Sequence, residues 1–176
     1  MNVRDARARY FETNGFDEAG YTARWAHFKI GPIPLAFPNT PSRQRALPMH
    51  DLHHVATGYP TTLLGEAEIG AWEVAGGCRN YWAAWVLDAA GFGYGVVFAP
   101  RRMYRAFVSG RRSKNLYHLG YTDELLGLDV TELRRRLQID RPPVATWADR
   151  AAFAGWLALF AMPVVAAAAV AFALWR

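Results

Sequence analysis

The 25 residues from Ala151 to Trp175, AAFAGWLALFAMPVVAAAAVAFALW, carry no charge, and this run constrains the chain more than any other feature. As a helix it would be about 37 Å long, more than the roughly 30 Å of a hydrocarbon core. The expectation is a transmembrane helix over 151–175, kinked at Pro163, because membrane helices tolerate proline where neighbours satisfy the freed carbonyl. The many alanines leave a buried core helix as the competing reading. Arg134, Arg135, Arg136, Arg141 and Arg150 precede the run and only Arg176 follows it, which places the body on the cytoplasmic side of a single C-terminal span. The opening MNVRDARARYFE has no continuous apolar stretch and does not read as a cleavable signal.

Ahead of this run, the 176-residue chain has room for one domain with a core and not for two. The expected organisation is a helical domain over 1–140, a linker over 141–150 stiffened by Arg141-Pro142-Pro143, and the span. The fold class is all-α. Ala6, Tyr10 and Phe11 among charges suit a short helix from Val3 to about Asn14, closed by Gly15, and a second helix fits Glu18 to Phe28. Five prolines between Gly31 and Pro48 read as a long ordered loop. Helical pattern resumes at Met49, breaks at Gly58-Tyr59-Pro60, and restarts behind Thr61 or Thr62, making a helical hairpin. Gly91, Gly93 and Gly95 lack the spacing and context of a phosphate-binding loop and read as close packing or a turn. DELLGLDVTELRRRL, Asp123 to Leu137, reads as one surface helix.

The chemistry is concentrated at the helical hairpin. A single cysteine, Cys78, excludes a multi-cysteine zinc site, so any metal would use nitrogen and oxygen. In His50-Asp51-Leu52-His53-His54, two histidines four apart fall about 40° apart on a helix, and Asp51 about 100° from His50. An i, i+4 pair can bring both imidazoles to one ion, with Asp51 as a third ligand or as a carboxylate orienting an imidazole. Glu66 follows His54 across the turn and returns on the first or second turn of the facing helix, where a fourth ligand should lie. Two neutral imidazoles and two carboxylates would neutralise a divalent ion. Glu73, two turns beyond Glu66, is a weaker candidate for supporting or acid-base work, and His53 reads as a hydrogen-bonding neighbour. The bland alternative is a set of exposed polar residues. Nothing in the sequence brings His27 or His118 to the site.

HDLHHVATGYPTTLLGE, His50 to Glu66, resembles the HDxxH-x11-E signature of the ubiquinone biosynthesis protein 4 (coenzyme Q protein 4) family. RQRALP before it and NLYHLGYTDELLGLDVTELRRRL after it share the family's general look. The resemblance implies an all-α metal protein of ubiquinone biosynthesis, with His50, Asp51, His54 and Glu66 as ligands of a divalent metal, Zn2+ or Fe2+. It further implies replacement of the carboxyl at ring carbon 1 of a polyprenylated hydroxybenzoate precursor by hydroxyl, an oxidative decarboxylation. Membrane lipid, the prenylated precursor, other enzymes of the pathway and a second copy of the chain are the implied partners. His53 and the apolar tail depart from the family pattern.

Zinc is redox-inactive, so oxidative chemistry would need iron or manganese with open positions, or oxygen activation by the substrate; iron is slightly favoured for activity, with zinc expected in many preparations. Trp72, Trp82 and Trp85 suit an apolar entrance, although Trp72 and Trp82 are more simply core residues. Between Asp88 and Asp123 there is no acidic residue but six basic ones, Arg101, Arg102, Arg105, Arg111, Arg112 and Lys114, which would attract anionic lipid or a substrate carboxylate. A net charge of +5 is modest, so nucleic acid is not expected. Two rival functions remain open: an HD-type metal phosphohydrolase, which would need His27 and Asp88 or Asp123 as further ligands, and a non-catalytic lipid-binding scaffold on the membrane.

Overall fold

The computed structural model describes the backbone of residues 1–30, 33–140 and 143–175, and the side chains of residues 1–27, 34–140 and 143–162. The fold is mostly helical. Helix α1 (Val3–Asn14) has the expected bounds for local reasons: the Asn2 side chain accepts from the Asp5 N–H at 2.8 Å, and Gly15 takes a left-handed φ of 67° to end it.

The helix expected over 18–28 does not form. A single turn, α2 (Ala19–Thr22), leads into strand β1 (Trp25–Ile30), which pairs antiparallel with β2 (Ile33–Pro38). The proline-rich loop expected from residue 31 is therefore a strand and the start of a helix, apart from 31 and 32, which lie outside the described residues. Proline is tolerated here because of register. Asn39 N–H donates to the Arg24 carbonyl at 3.0 Å, and pairs alternate along an antiparallel ladder. Pro34 opposite Lys29 and Pro38 opposite Trp25 thus occupy the positions whose N–H would point away from the partner.

Helix α3 (Pro41–Thr57) begins eight residues before the expected start at Met49. Thr40 caps it, Pro41 takes the first helical position where no N–H is needed, and the interior Pro48 forgoes one bond without ending it. Thr62 caps α4 (Leu63–Gly76), its hydroxyl accepting from Gly65 N–H at 3.2 Å, so the expected hairpin forms. Helices α5 (Trp82–Phe98) and α6 (Pro100–Arg112) then enclose α4. The glycines of 91–95 lie inside α5 and serve close packing. A Cβ on Gly95 would stand 2.8 Å from the Ala67 Cβ of α4, and one on Gly110 of α6 would stand 2.1 Å from the Trp72 carbonyl oxygen.

Beyond α7 (Leu116–Leu119), the single helix expected over 123–137 is two, α8 (Asp123–Gly127) and α9 (Val130–Leu137). Asp129 breaks it by capping α9 through Thr131 N–H at 2.8 Å, and the chain's N-terminus pairs with the break through Val3 N–H to Leu128 O and Val130 N–H to Met1 O. One apolar core joins α3 to α7, α8 and α9 around Leu52, Leu116, Leu133 and Leu137, and a second fills the space between α4, α5 and α6 around Phe92, Met103 and Phe107.

Helix α10 (Trp147–Trp175) contains the uncharged run. Its start is pinned by the buried Asp149, which accepts from Arg111 at 2.9 Å, Arg112 at 2.6 Å and Thr146 N–H at 2.8 Å. Phe153 and Trp156 then pack tilted against Phe92, and Phe160 meets it edge-on. The transmembrane helix expected over 151–175 is not found: among the described residues no helix is long and apolar enough to cross a membrane, and the side chains of 163–175 lie outside those described.

Candidate metal centre

The hairpin brings His50, His54 and Glu66 together. His54 lies one turn beyond His50 on α3, and Glu66 sits in the first turn of α4, so both helices present these groups to the gap behind the Gly58 turn. The Nε2 atoms of His50 and His54 are 3.2 Å apart. Glu66 Oε2 lies 3.4 Å from the first and Oε1 3.4 Å from the second.

The hydrogen bonds behind the two rings fix what those Nε2 atoms are. His54 Nδ1 donates to the Tyr59 carbonyl at 2.8 Å, and His50 Nδ1 donates to the Glu73 carboxylate at 3.0 and 3.2 Å. Each neutral ring then carries its proton on Nδ1 and a lone pair on Nε2. Two lone pairs facing each other at 3.2 Å repel unless a proton or a cation lies between them. A tetrahedron with bonds of 2.0 to 2.1 Å has edges of about 3.3 to 3.4 Å, close to the separation of the two rings and of each ring from its nearer Glu66 oxygen, so the three side chains could hold one small ion after little adjustment. Glu66 is partly open to solvent, so an ion held here could be reached from outside.

Asp51 is not brought into this group. It is buried, and its Oδ2 accepts from the Tyr21 hydroxyl at 2.7 Å. Burial raises its pKa, opposed by the charges of His50 and His54 and by the Tyr21 bond. Tyr10 stacks on His54 with centroids 5.8 Å apart and closes the same side. Without a metal, burial would raise the Glu66 carboxyl, but the hydrogen bonds and charges of His50 and His54 outweigh it and hold the pKa to about 2.

Behind the site lies a buried polar group that the sequence reveals only in part. Glu73, fully buried, accepts from His50, from His53 Nδ1 at 2.5 Å and from the Tyr117 hydroxyl at 2.9 Å. His53 is braced from its far side, since its Nε2 accepts from Leu116 N–H at 2.8 Å. It is thus a hydrogen-bonding neighbour, as its flanking position suggests. Asp88 of α5 adjoins, with ligand atoms of His50, Glu73 and Asp88 within 4.8 Å of one another. Burial, with Glu73 nearby, drives the Asp88 pKa well above the carboxylate range. Burial also opposes charge on Glu73, but His50 and His53 hold its pKa well below the ordinary value. Burial thus disfavours a second charge beside Glu73, and Asp88 is the group pushed toward its neutral form. Neither Asp88 nor Tyr117 has a local sequence signal; only the topology places them here.

The phosphohydrolase ligand set is not gathered among the described residues. His27 is exposed on the hairpin, Asp123 pairs with Arg4, and Asp88 meets Glu73. His118 bonds the Gly76 and Gly77 carbonyls.

The chain is 33% identical over 111 residues to the mitochondrial ubiquinone biosynthesis protein COQ4 of Yarrowia lipolytica, a match covering 57% of this chain and 39% of that protein. It is 34% identical over 108 residues to coq4 of Aspergillus fumigatus and 28% identical over 113 residues to COQ4 of Scheffersomyces stipitis, covering 57% of this chain in each case and 35% and 32% of those proteins. The chain spans under two fifths of the length of these curated relatives. No family model matches it, and no solved structure matches it.

Proposed function

We propose, from the premise that the chain is a relative of the ubiquinone biosynthesis protein 4 (COQ4) family, that it acts in ubiquinone biosynthesis through a divalent metal held by His50, His54 and Glu66. The observation that carries this reading is the facing pair of Nε2 lone pairs, closed by the two Glu66 oxygens at tetrahedral-edge distances. Asp51 would join them only by exchanging its Tyr21 hydrogen bond for the ion.

The reaction proposed is replacement of the carboxyl at ring carbon 1 of a polyprenylated hydroxybenzoate by hydroxyl. Water supplies the ring's oxygen atom, CO2 leaves, and two protons and two electrons pass to an acceptor such as dioxygen, which becomes hydrogen peroxide. A bound Fe2+ would supply redox chemistry and charge stabilisation there, whereas Zn2+ would supply only the latter. The chain's own residues hold and orient: Glu73 fixes the His50 ring, Tyr59 fixes His54, and Tyr10 walls the site. Other enzymes of the pathway and a second copy of the chain are its proposed partners.

A polyprenylated substrate resides in a bilayer, so the protein is proposed to work at a membrane. Alkaline carbonate, which leaves a spanning chain in the membrane pellet and releases a surface-bound one, is expected to release this chain.

The functional test is complementation of a host lacking its own family member, with quinones and precursors followed by mass spectrometry. Wild type is expected to restore the quinone, and His50→Ala and Glu66→Ala to accumulate the carboxylated precursor. Full rescue by both variants would make the metal dispensable and favour the scaffold.

A further inference from the structure

Among the described residues, helix α5 leaves most of one apolar face uncovered, with Gly93 at its edge against Phe160 of α10. Every exposed position on α5 is apolar: Trp82, Val86, Leu87, Tyr94, Val97 and Phe98, with Ala90 among them. At about 100° per residue these fall on one stripe about 160° wide that runs the ~25 Å of the helix. The rest of the helix is occupied. Gly91 and Gly95 face α4, Phe92 packs into the aromatic seam with α10, and the one charged residue, Asp88, is buried on the side opposite the stripe. Val97 is 74% exposed and Phe98 65%, so the stripe is no frayed edge of the core. Contiguous apolar surface of this size marks an interaction site.

The charges at its two ends select the occupant. Arg79 precedes the stripe, and Arg101 and Arg105 follow it; all three are exposed, and none has an acidic partner among the described residues. The other arginines of α6 are already engaged, Arg102 by Glu68 and Arg111 and Arg112 by Asp149. Pairing two α5 stripes, parallel or antiparallel, would set arginines against arginines at both ends. A layer that is apolar inside and anionic at its edge fits both features at once. Trp and Tyr are also the residues that settle at such an interface.

We propose that the α5 face beds into an anionic lipid surface, the helix lying in the interfacial plane with its stripe at the headgroup and acyl boundary and its flanking arginines on lipid phosphates. This deepens the proposed membrane location by naming the contacting face, and it does not depend on the metal ligands. It also sets the metal centre one helix layer from the lipid, since Asp88 on the inner side of α5 adjoins Glu73.

The test uses the full chain carrying Val97→Cys with an environment-sensitive fluorophore; the native Cys78 is buried. Vesicles are phosphatidylcholine alone or mixed with phosphatidylglycerol. A blue shift with the anionic vesicles alone is expected. Arg101→Gln with Arg105→Gln should weaken binding about 30-fold, which corresponds to about 1 kcal/mol for each basic group. Val97→Asp with Phe98→Asp should abolish it. If the chain sediments with vesicles while the label does not respond, this face is refuted and the membrane location stands on another segment. If the chain does not sediment at all, the membrane location falls with it. A signal that changes on protein dilution without vesicles would assign the face to a second copy instead.

Discussion

Glu73→Gln isolates what a buried carboxylate does for the metal centre without emptying its space. In the wild type, one carboxylate takes His50 Nδ1 at 3.0 Å, His53 Nδ1 at 2.5 Å and the Tyr117 hydroxyl at 2.9 Å. The amide oxygen can still accept from the histidines, and Tyr117 can turn to accept from the amide, so few donors are orphaned. What disappears is the charge. A hydrogen bond to a charged group is worth about 1.5–3 kcal/mol against about 0.5–1.5 for a neutral one, so His50 loses on the order of 1–1.5 kcal/mol of orientation and basicity. That is about 5–12-fold in affinity, at the lower end of the roughly 10–100-fold that loss of the carboxylate behind a metal-bound imidazole typically costs. The comparison is Asp88→Asn, where an acid already pushed toward its neutral form becomes an amide and affinity should change by no more than about threefold. Asp88 can also ionise once Glu73 is neutral and partly replace its charge, so the double variant should be weaker than Glu73→Gln alone. Competitive titration of Zn2+ against a chelator, with circular dichroism to check the fold, reads all three. Equal affinity for wild type and Glu73→Gln would refute the orienting role.

Metal affinity should rise with pH, because the ion must displace a proton from the histidine pair. Burial opposes the charged His50 ring, but Glu73 and Glu66 carry its metal-free pKa well above 6.5. That group's contribution to metal-free stability is full below the ordinary 6.5 and lost as pH rises through the higher folded value; melting curves with and without Zn2+ across this window should diverge as pH rises. Gly110→Ala should lower stability by about 1–3 kcal/mol, since a Cβ there would stand 2.1 Å from a backbone oxygen of α4. Gly127→Ala, with nothing within 4 Å, is the neutral control, and denaturant melts compare the two.

Local signals carried the helices whose ends are chemically marked. Asn2 and Gly15 bound α1, and Thr62 caps α4 so that Glu66 falls opposite His50 and His54. Those three candidate ligands were legible because i, i+4 spacing and a short turn leave the chain little choice. Asp51 was not placed as expected, because a sequence gives its position on α3 but not the Tyr21 hydroxyl that claims it from another element. The proline-rich segment misled because proline's effect on a strand depends on which pairs of the ladder it occupies, and register is invisible before the partner strand is known. The break at Asp129 follows from pairing with the N-terminus, 125 or more residues away in sequence. Glu73 could be suspected two turns beyond Glu66; Tyr117, Asp88 and the Leu116 N–H reach the site only through tertiary packing.

The central claim is that His50, His54 and Glu66 hold one divalent ion. Elemental analysis of the anaerobically purified protein and of its His54→Ala and Glu66→Ala variants tests it most directly. About one equivalent of iron or zinc is expected in the wild type, with most of it lost in each variant. Metal at background in the wild type, or an undiminished content in both variants, would contradict it.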